Sequence, residues 1–518
     1  MTKKIIFLIS LLANFSFISA QLTFVDVKNT TGNETKRFFN RAEIEKDLDI
    51  IHSNTKAVYT FYNKTIDSCI RIKKKEILSS IKDSISSLEY YYRLQEMMSC
   101  LKDYHVGVRG ILRYNSGWLK YSDKVFPLIL NFNNKHAFLK NDFFGHNITP
   151  KSEILEINNV SISEILKTAQ KLSDYCVNAE VSINNCFGSA QDVDDFSNLL
   201  RYLKIEYPYE VKYRDCKTGY VTTSSLQSVT RNSLHQKMRK FQNGNFGNKN
   251  VLEFTELNKN TALLKINTFL ERKVIFWVAG VPSLSMKKLN RYINKIKRKN
   301  YENLIIDLRG NNGGTMSPVY TILDNLISGN YFVNDYEYNP SLFKIDSTRF
   351  SRDFTNITSL AYNISKEESK KNAVQFINKA KTCTQTERLQ TSYVLGNKKR
   401  NNKVKTQFKG NVYFLIDNYC SSATIMFLDI AKYYNVGLII GEPTAHNISV
   451  TTCEQTVYNR TGIDIRVRGA NTIPLNKSDN PFTPLTPHIY HKDSLISFTE
   501  SLIEKGVTIN NYKSISKL

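Results

Sequence analysis

Acidic side chains are in short supply in this 518-residue chain: 47 Asp and Glu face 71 Lys and Arg, a formal charge of +24. Nucleic acid is the reflex partner for such a balance, but the cations lie scattered in small clusters such as Lys73 to Lys75, Lys295 to Lys299 and Lys398 to Arg400. No nucleic-acid-binding motif accompanies them. The pattern describes a solvated basic surface suited to peripheral contact with anionic membranes or envelope polymers. Long apolar runs are equally scarce, and beyond residue 20 none approaches the roughly 18 residues of a membrane span. The eight cysteines include no Cys-x-x-Cys pair, which argues against structural zinc. No glycine-rich stretch ends in the Lys-Ser/Thr of a phosphate-binding loop or keeps the spacing of a dinucleotide fingerprint. Neither a metal nor an organic cofactor is expected.

What the chain does contain begins with MTKKIIFLISLLANFSFISAQ, where Lys3 and Lys4 precede an apolar stretch, Ile5 to Phe17, and a cleavage site at Ile18-Ser19-Ala20. This is the pattern of a secretory signal, so residues 1–20 are set aside and a periplasmic or secreted location is expected. Export permits disulfides. Cys69 with Cys100, across a helical pair, and Cys176 with Cys186, closing a local loop, are the candidate pairs. Residues 21–115 read as a helical domain, because Glu43 to Ile51 and Lys75 to Cys100 carry apolar residues three and four apart without Pro or Gly. Residues 116–250 form a mixed β region. Within it 124–140 reads as two strands around an Asn-Asn-Lys turn, 148–172 as strand, turn and helix, and Tyr209 to Ser224 as a hairpin. That order resembles a small peptide-binding module of the PDZ type. From 251 to 515 strands (Ala262 to Phe269, Asn303 to Leu308) alternate with a helix (Leu284 to Asn300), which implies parallel pairing. A polar, Lys/Asn-rich insertion at 335–405 interrupts this pattern.

The segment NVYFLIDNYCSSATIMFLDIAKYYNVGLIIGEPT, residues 411–444, is the most informative. Val412 to Ile416 reads as a buried strand and Asp417 to Cys420 as a turn. Ser421, Ser422 and Ala423 open a helix whose Ile425, Met426, Ile430 and Ala431 share a face, and Val436 to Ile440 is the next strand. A serine at a helix N-terminus sits where unpaired N–H groups favour negative charge, a suitable place for an acyl-transfer nucleophile. The plainer reading is a helix cap. Three features stand with it. In LIIDLRGNNGG (304–314) a buried strand ends in Asp307 and Arg309, an ion pair expected to fix the following loop. Gly310, Gly313 and Gly314 of that loop let backbone N–H groups approach a substrate closely. The GEPT turn at 441–444 follows the strand after the serine helix. LKDYHVGVRG (101–110) closes the helical region and holds His105. The other histidines (52, 136, 146, 235, 488 and 491) read as structural, and His446 as a substrate contact or a reserve base.

Together these motifs resemble the tail-specific, or carboxyl-terminal-processing, serine protease family, in which a DLRGN-GG strand–loop, a Ser-Ala nucleophile turn and a GE-T turn follow in this order. The resemblance is strongest over 255–445. It implies an α+β multi-domain protein: an N-terminal helical region, a small PDZ-like β/α module, and a C-terminal α/β protease domain with a ClpP/crotonase-like βαβ core. It places the nucleophile on Ser422 and the oxyanion donors on Ala423 and on Gly313 or Gly314, with Asp307, Arg309, Glu442 and Thr444 supporting the site. The bacterial processing branch takes a lysine base just beyond the GE-T turn, a position held here by Asn447; the next lysine is Lys477. The tricorn-like branch takes a histidine near the end of the helical region, and the LKDYH match puts that base on His105. Asp103, Glu454 and Asp464 are candidates to orient its ring. Tyr104 and Ala423 depart from that branch, which has a serine before the histidine and an acidic residue after the nucleophile. The expected activity is cleavage of proteins or peptides through an acyl-enzyme. A catalytically silent, peptide-binding scaffold is the alternative.

Overall fold

The computed structural model describes residues 38–103, 106–108, 124–133, 135–172, 183, 193–234, 236–237, 251–271, 283–338, 347–383, 387–446, 451–457, 461, 463, 465–480 and 483–517. Three helices open it: α1 (Arg41–Val58), α2 (Lys64–Ser80) and α3 (Ser87–Met98). Asn40 and Glu43 exchange side-chain-to-backbone hydrogen bonds at the start of α1, a reciprocal cap. The continuous helix expected over Lys75 to Cys100 is instead broken after Ser80. Ser84–Ser86 pairs as a short strand with Phe38–Asn40, and the Ser86 hydroxyl accepts the Glu89 N–H to start α3. Serine hydroxyls compete with the helical backbone for its own donors, and Ile85 gains burial in the ladder, so the periodicity is overridden there. A disulfide joins Cys69 on α2 to Cys100 just past α3, with Cα atoms 5.9 Å apart. Cys176 and Cys186 lie outside the described residues.

The middle region is an antiparallel sheet of β1 (Leu128–Asn133), β2 (His136–Asp142), β3 (Glu153–Ile157), β4 (Tyr209–Arg214) and β5 (Val221–Leu226), in the order β5-β4-β3-β2-β1. Helix α4 (Ile162–Leu172) packs on β2 and β3, and α5 (Val193–Tyr202) follows it. The strands expected within 124–140, 148–172 and 209–224 and the helix within 148–172 are present, and Asn134 of the first turn lies outside the described residues.

The C-terminal part is built on a second sheet of β6 (Leu252–Glu256), β7 (Thr261–Ile266), β8 (Asn303–Asp307), β10 (Asn411–Ile416), β11 (Leu438–Gly441) and β14 (Ile489–Tyr490), in the order β6-β7-β8-β10-β11-β14. Only β6 runs antiparallel to its neighbour. Its central strands read as unbroken apolar runs because both faces are covered. Leu304, Ile306, Phe414 and Ile416 face α6 (Met286–Lys299), α7 (Met316–Leu326) and α10 (Ala423–Tyr433). Ile305, Tyr413 and Leu415 face α11 (Leu495–Glu504).

The polar insertion, whose structure the sequence leaves open, is folded over its described residues. Strand β9 (Tyr336–Tyr338) pairs with β13 (Ile465–Thr472), itself paired with β12 (Thr451–Val457), and a helical hairpin follows, α8 (Ser347–Tyr362) and α9 (Lys366–Thr382). Phe354 and Phe376 meet between its two helices, ring centroids 4.8 Å apart and tilted by 47°. Arg400 grips Asp324 of α7 with two hydrogen bonds of 2.8 and 2.7 Å and fastens the end of the insertion to the α/β layer. One apolar cluster runs from α1–α3 through the antiparallel sheet to Phe354 and Phe376, and on to Ile425 and Met426 of α10.

Candidate active site

Segments from four adjacent strands meet at the C-terminal edge of the parallel sheet: residues 268–271 beyond β7, 308–315 beyond β8, 417–422 beyond β10 and 441–446 at the end of β11. Open α/β sheets bind ligands at this edge. Asp307, 1% exposed, receives Arg309 Nε at 2.8 Å and Nη2 at 2.7 Å, an ion pair at the start of the glycine loop. Asp417 accepts the Gly310 N–H at 3.0 Å and the Tyr419 N–H at 3.0 Å, and burial holds its carboxyl above the usual range. Asn311, fully buried, is the hub. Its Nδ2 donates to the Ile266 carbonyl at 3.0 Å and its Oδ1 accepts the Gly313 N–H at 2.9 Å. Its own carbonyl accepts the Ser421 N–H at 3.2 Å and the Thr424 hydroxyl at 3.0 Å. Glycine is obligatory at 314, where φ is +142° and a Cβ would fall 2.2 Å from the Leu270 nitrogen.

The serine turn has the shape of a nucleophile elbow, a sharp strand-to-helix turn that lifts one hydroxyl out of the backbone. Ser422 has φ +54° and ψ −121° and is half-exposed, between buried Ser421 and buried Ala423. A non-glycine residue held there costs on the order of 1–3 kcal/mol. The Ser422 hydroxyl does not cap α10, which sets the plainer reading aside, and among the described residues it has no hydrogen-bond partner. The Ser421 hydroxyl donates to the Asn312 carbonyl at 2.9 Å and is structural. The Ser422 N–H donates to His446 Nε2 at 3.1 Å. The Cys420 thiol bonds to the Leu308 carbonyl at 3.2 Å, and burial pushes its pKa well up, which makes it a buried hydrophobe rather than a nucleophile. Of the proposed oxyanion donors, the Gly313 N–H is engaged by Asn311. The Gly314 and Ala423 N–H groups have no acceptor among the described residues.

Residues 260–489 match the family model described as peptidase family S41. Over that stretch, a little under half of its length, the chain is similar to the S41 peptidases. Its fold matches solved structures at low identity. Mature CPAF complexed with lactacystin is 14% identical, with a TM-score of 0.58, over 87% of this chain and 94% of that one. Mature CPAF is 13% identical, with a TM-score of 0.54, over 87% and 92%. Comparison with curated proteins gives no match.

Thr444 and Glu442, two of the residues expected to support the site, have defined partners. The Thr444 hydroxyl donates to the His446 carbonyl at 3.2 Å and accepts the Leu485 N–H at 2.9 Å. Glu442 pairs with Lys492 at 3.7 Å and its N–H reaches the Ile416 carbonyl at 3.3 Å. His105 and Tyr104 lie outside the described residues, as do Asn447, Asp464 and the side chain of Glu454. The segment around His105 is anchored on both sides. Asp103 is buried and accepts the Tyr59 hydroxyl at 3.2 Å, while Gly107–Val108 pairs with Arg466 and Ile465 of β13. Helix α10 is buried on every side. Its Ile425 and Met426 join the cluster of Val106 and Val108, and its Ile430 and Ala431 join the sheet cluster, so the single shared face expected from periodicity is split in two. Sequence reasoning passed over Asn311 and Asp417. The asparagine's only signal was its place between Gly310 and Gly313, where a loop that doubles back needs an internal acceptor. Among the described residues no group of three or more His, Cys, Asp or Glu is placed to hold a metal ion.

Proposed function

We propose that this peptidase cleaves its protein or peptide substrates through an acyl-enzyme on Ser422, with His105 as the general base. The observation that carries this reading is the strained elbow at Ser422, a partly exposed residue packed against Gly313, whose hydroxyl has no hydrogen-bond partner among the described residues. A serine hydroxyl needs an adjacent base to become a useful nucleophile, and a neutral imidazole serves near pH 7. His105 would take the proton and return it to the leaving amine, and the N–H groups of Gly314 and Ala423 would hold the oxyanion. Support for the base comes from its neighbours: Val106 and Val108 share one apolar cluster with Ile425 and Met426, a turn beyond the nucleophile. The antiparallel sheet β1–β5 with α4 would act as the PDZ-like module and take a substrate's C-terminal tail by strand addition. The signal-like N-terminus, with the Cys69–Cys100 disulfide, favours export to an oxidising compartment. Among the described residues no helix is long and apolar enough to cross a membrane.

A serine-directed fluorophosphonate tests the reading. The wild type should label, Ser422→Ala should not, and His105→Ala should label about 100-fold more slowly. Lactacystin, found bound to CPAF, serves as a second probe that should compete for the label. Undiminished labelling of Ser422→Ala would overturn the assignment of the nucleophile, and undiminished labelling of His105→Ala that of the base.

A further inference from the structure

We infer that His446 is a positioning residue: its neutral ring accepts the main-chain N–H of Ser422 and so holds the elbow in its reactive shape. The inference rests on Ser422 being the nucleophile. At 3.1 Å from the Ser422 nitrogen, Nε2 acts as acceptor, so it carries no proton. A neutral imidazole has one accepting nitrogen, and here its lone pair is committed to the backbone. His446 therefore does not take the proton from the Ser422 hydroxyl in this arrangement, although it lies nearer to the nucleophile in sequence than His105 does.

The bond matters because of where the strain sits. Rotating the Ser421–Ser422 peptide plane changes ψ of Ser421 and φ of Ser422 together, which is the cheapest way to relieve φ +54°. Such a rotation turns the Ser421 carbonyl oxygen, which lies against Gly313, together with the Ser422 N–H, and so frees the elbow to relax from its strained φ. Before this peptide the turn is tied by the Ser421 N–H to the Asn311 carbonyl. Beyond it the Ser422 carbonyl accepts the Ile425 N–H at 2.9 Å. The N–H of the peptide itself is held by His446. The ring is a firm partner: it is 4% exposed, and its own main chain is pinned by Thr444. The preceding Ala445 N–H bonds to the Cys420 carbonyl at 2.9 Å, directly before the elbow. The GEPT turn and the following histidine thus act as a clamp on the nucleophile's backbone.

The test uses the full-length protein and a fluorogenic peptide that it cleaves. His446→Ala should lower kcat about 100-fold, the usual effect of a displaced reacting group, with KM changed less than about 3-fold. His446→Gln, whose amide oxygen can accept the same N–H, should recover at least about a tenth of wild-type kcat. Both should still take the fluorophosphonate on Ser422, more slowly in the alanine variant. Nitrogen NMR of histidine-labelled wild type should show His446 with Nε2 unprotonated, a reading that does not depend on any variant folding. A kcat for His446→Ala equal to wild type would overturn the inference. So would a folded His446→Gln as inactive as the alanine variant, or a proton on Nε2 in the resting enzyme. Failure of the nucleophile assignment itself would show separately, as unchanged labelling in Ser422→Ala.

Discussion

Gly313 lies directly against Ser422: a Cβ added to the glycine would sit 2.8 Å from the Ser422 Cβ, 2.7 Å from the Ser421 carbonyl oxygen and 2.8 Å from the Ala423 nitrogen. Two of these three atoms are backbone, so nothing flexible can move aside. The φ of +92° adds strain of its own. Gly313→Ala should therefore push the glycine loop and the elbow apart and lower kcat/KM by about 100-fold or more. Steady-state hydrolysis by a soluble, folded variant checks this, and activity within a few fold of wild type would show that the two loops do not form one surface.

Replacing Ser422 separates strain from chemistry. Ser422→Gly and Ser422→Ala should both be inactive, but glycine tolerates a positive φ that alanine does not. The glycine variant should therefore be the more stable by about 1 kcal/mol in urea unfolding. Equal or lower stability for the glycine variant would mean that the elbow is not under strain.

The disulfide closes a loop with a sequence separation of 31 residues and ties α2 to the strand of chain leading towards His105. Loop-entropy arguments assign such a crosslink roughly 3–4 kcal/mol. Cys69→Ser should lower unfolding stability by about that amount, and reducing agent should bring the wild type to the same midpoint. A wild-type midpoint indifferent to reductant would show that the crosslink does not stabilise the helical region.

Asp429 on α10 is buried and accepts the Asn334 amide and the Leu475 N–H, the latter at 3.0 Å. Burial raises its pKa from 3.8 to about 6, against the lowering effect of those two hydrogen bonds. Between those values the native state holds more protons than the unfolded chain, so this group's contribution to stability falls as pH rises. Wild-type stability relative to Asp429→Asn should drop by about 3 kcal/mol from about pH 4 to pH 7, the equivalent of roughly two pKa units. A pH-independent difference between the two proteins would refute the raised pKa.

Much of this was legible in the sequence. The apolar runs of β8 and β10 could hardly be anything but strands buried on both faces, and the glycine loop and the serine turn announced a site at their ends. The disulfide followed from two cysteines on neighbouring helices. What escaped had specific physical causes. The break after Ser80 depends on pairing with Phe38–Asn40, about 45 residues earlier, which helical periodicity cannot register. The insertion reads as polar because Lys, Asn and other polar residues separate its apolar ones in the chain, and contacts such as Phe354 with Phe376 join residues of two different helices. Nor could periodicity show that the sides of α10 belong to different clusters, since both are simply apolar. His446 was left with two readings because the bond that defines it is made to a backbone N–H, a group that every residue but proline carries.

The walled-in helix α10 has a consequence for how small this enzyme can be. Family S41 is matched over 260–489 only, yet Ile425, Met426, Ile465 and Val467 of that stretch share one apolar cluster with many residues that precede it. Cut free from the N-terminal half, the matched portion would bare a greasy seam along the very helix that Ser422 precedes, and would stick to its own kind. The helical and antiparallel regions are thus not detachable accessories to a self-sufficient catalytic piece; they form the other wall of the chamber in which it folds.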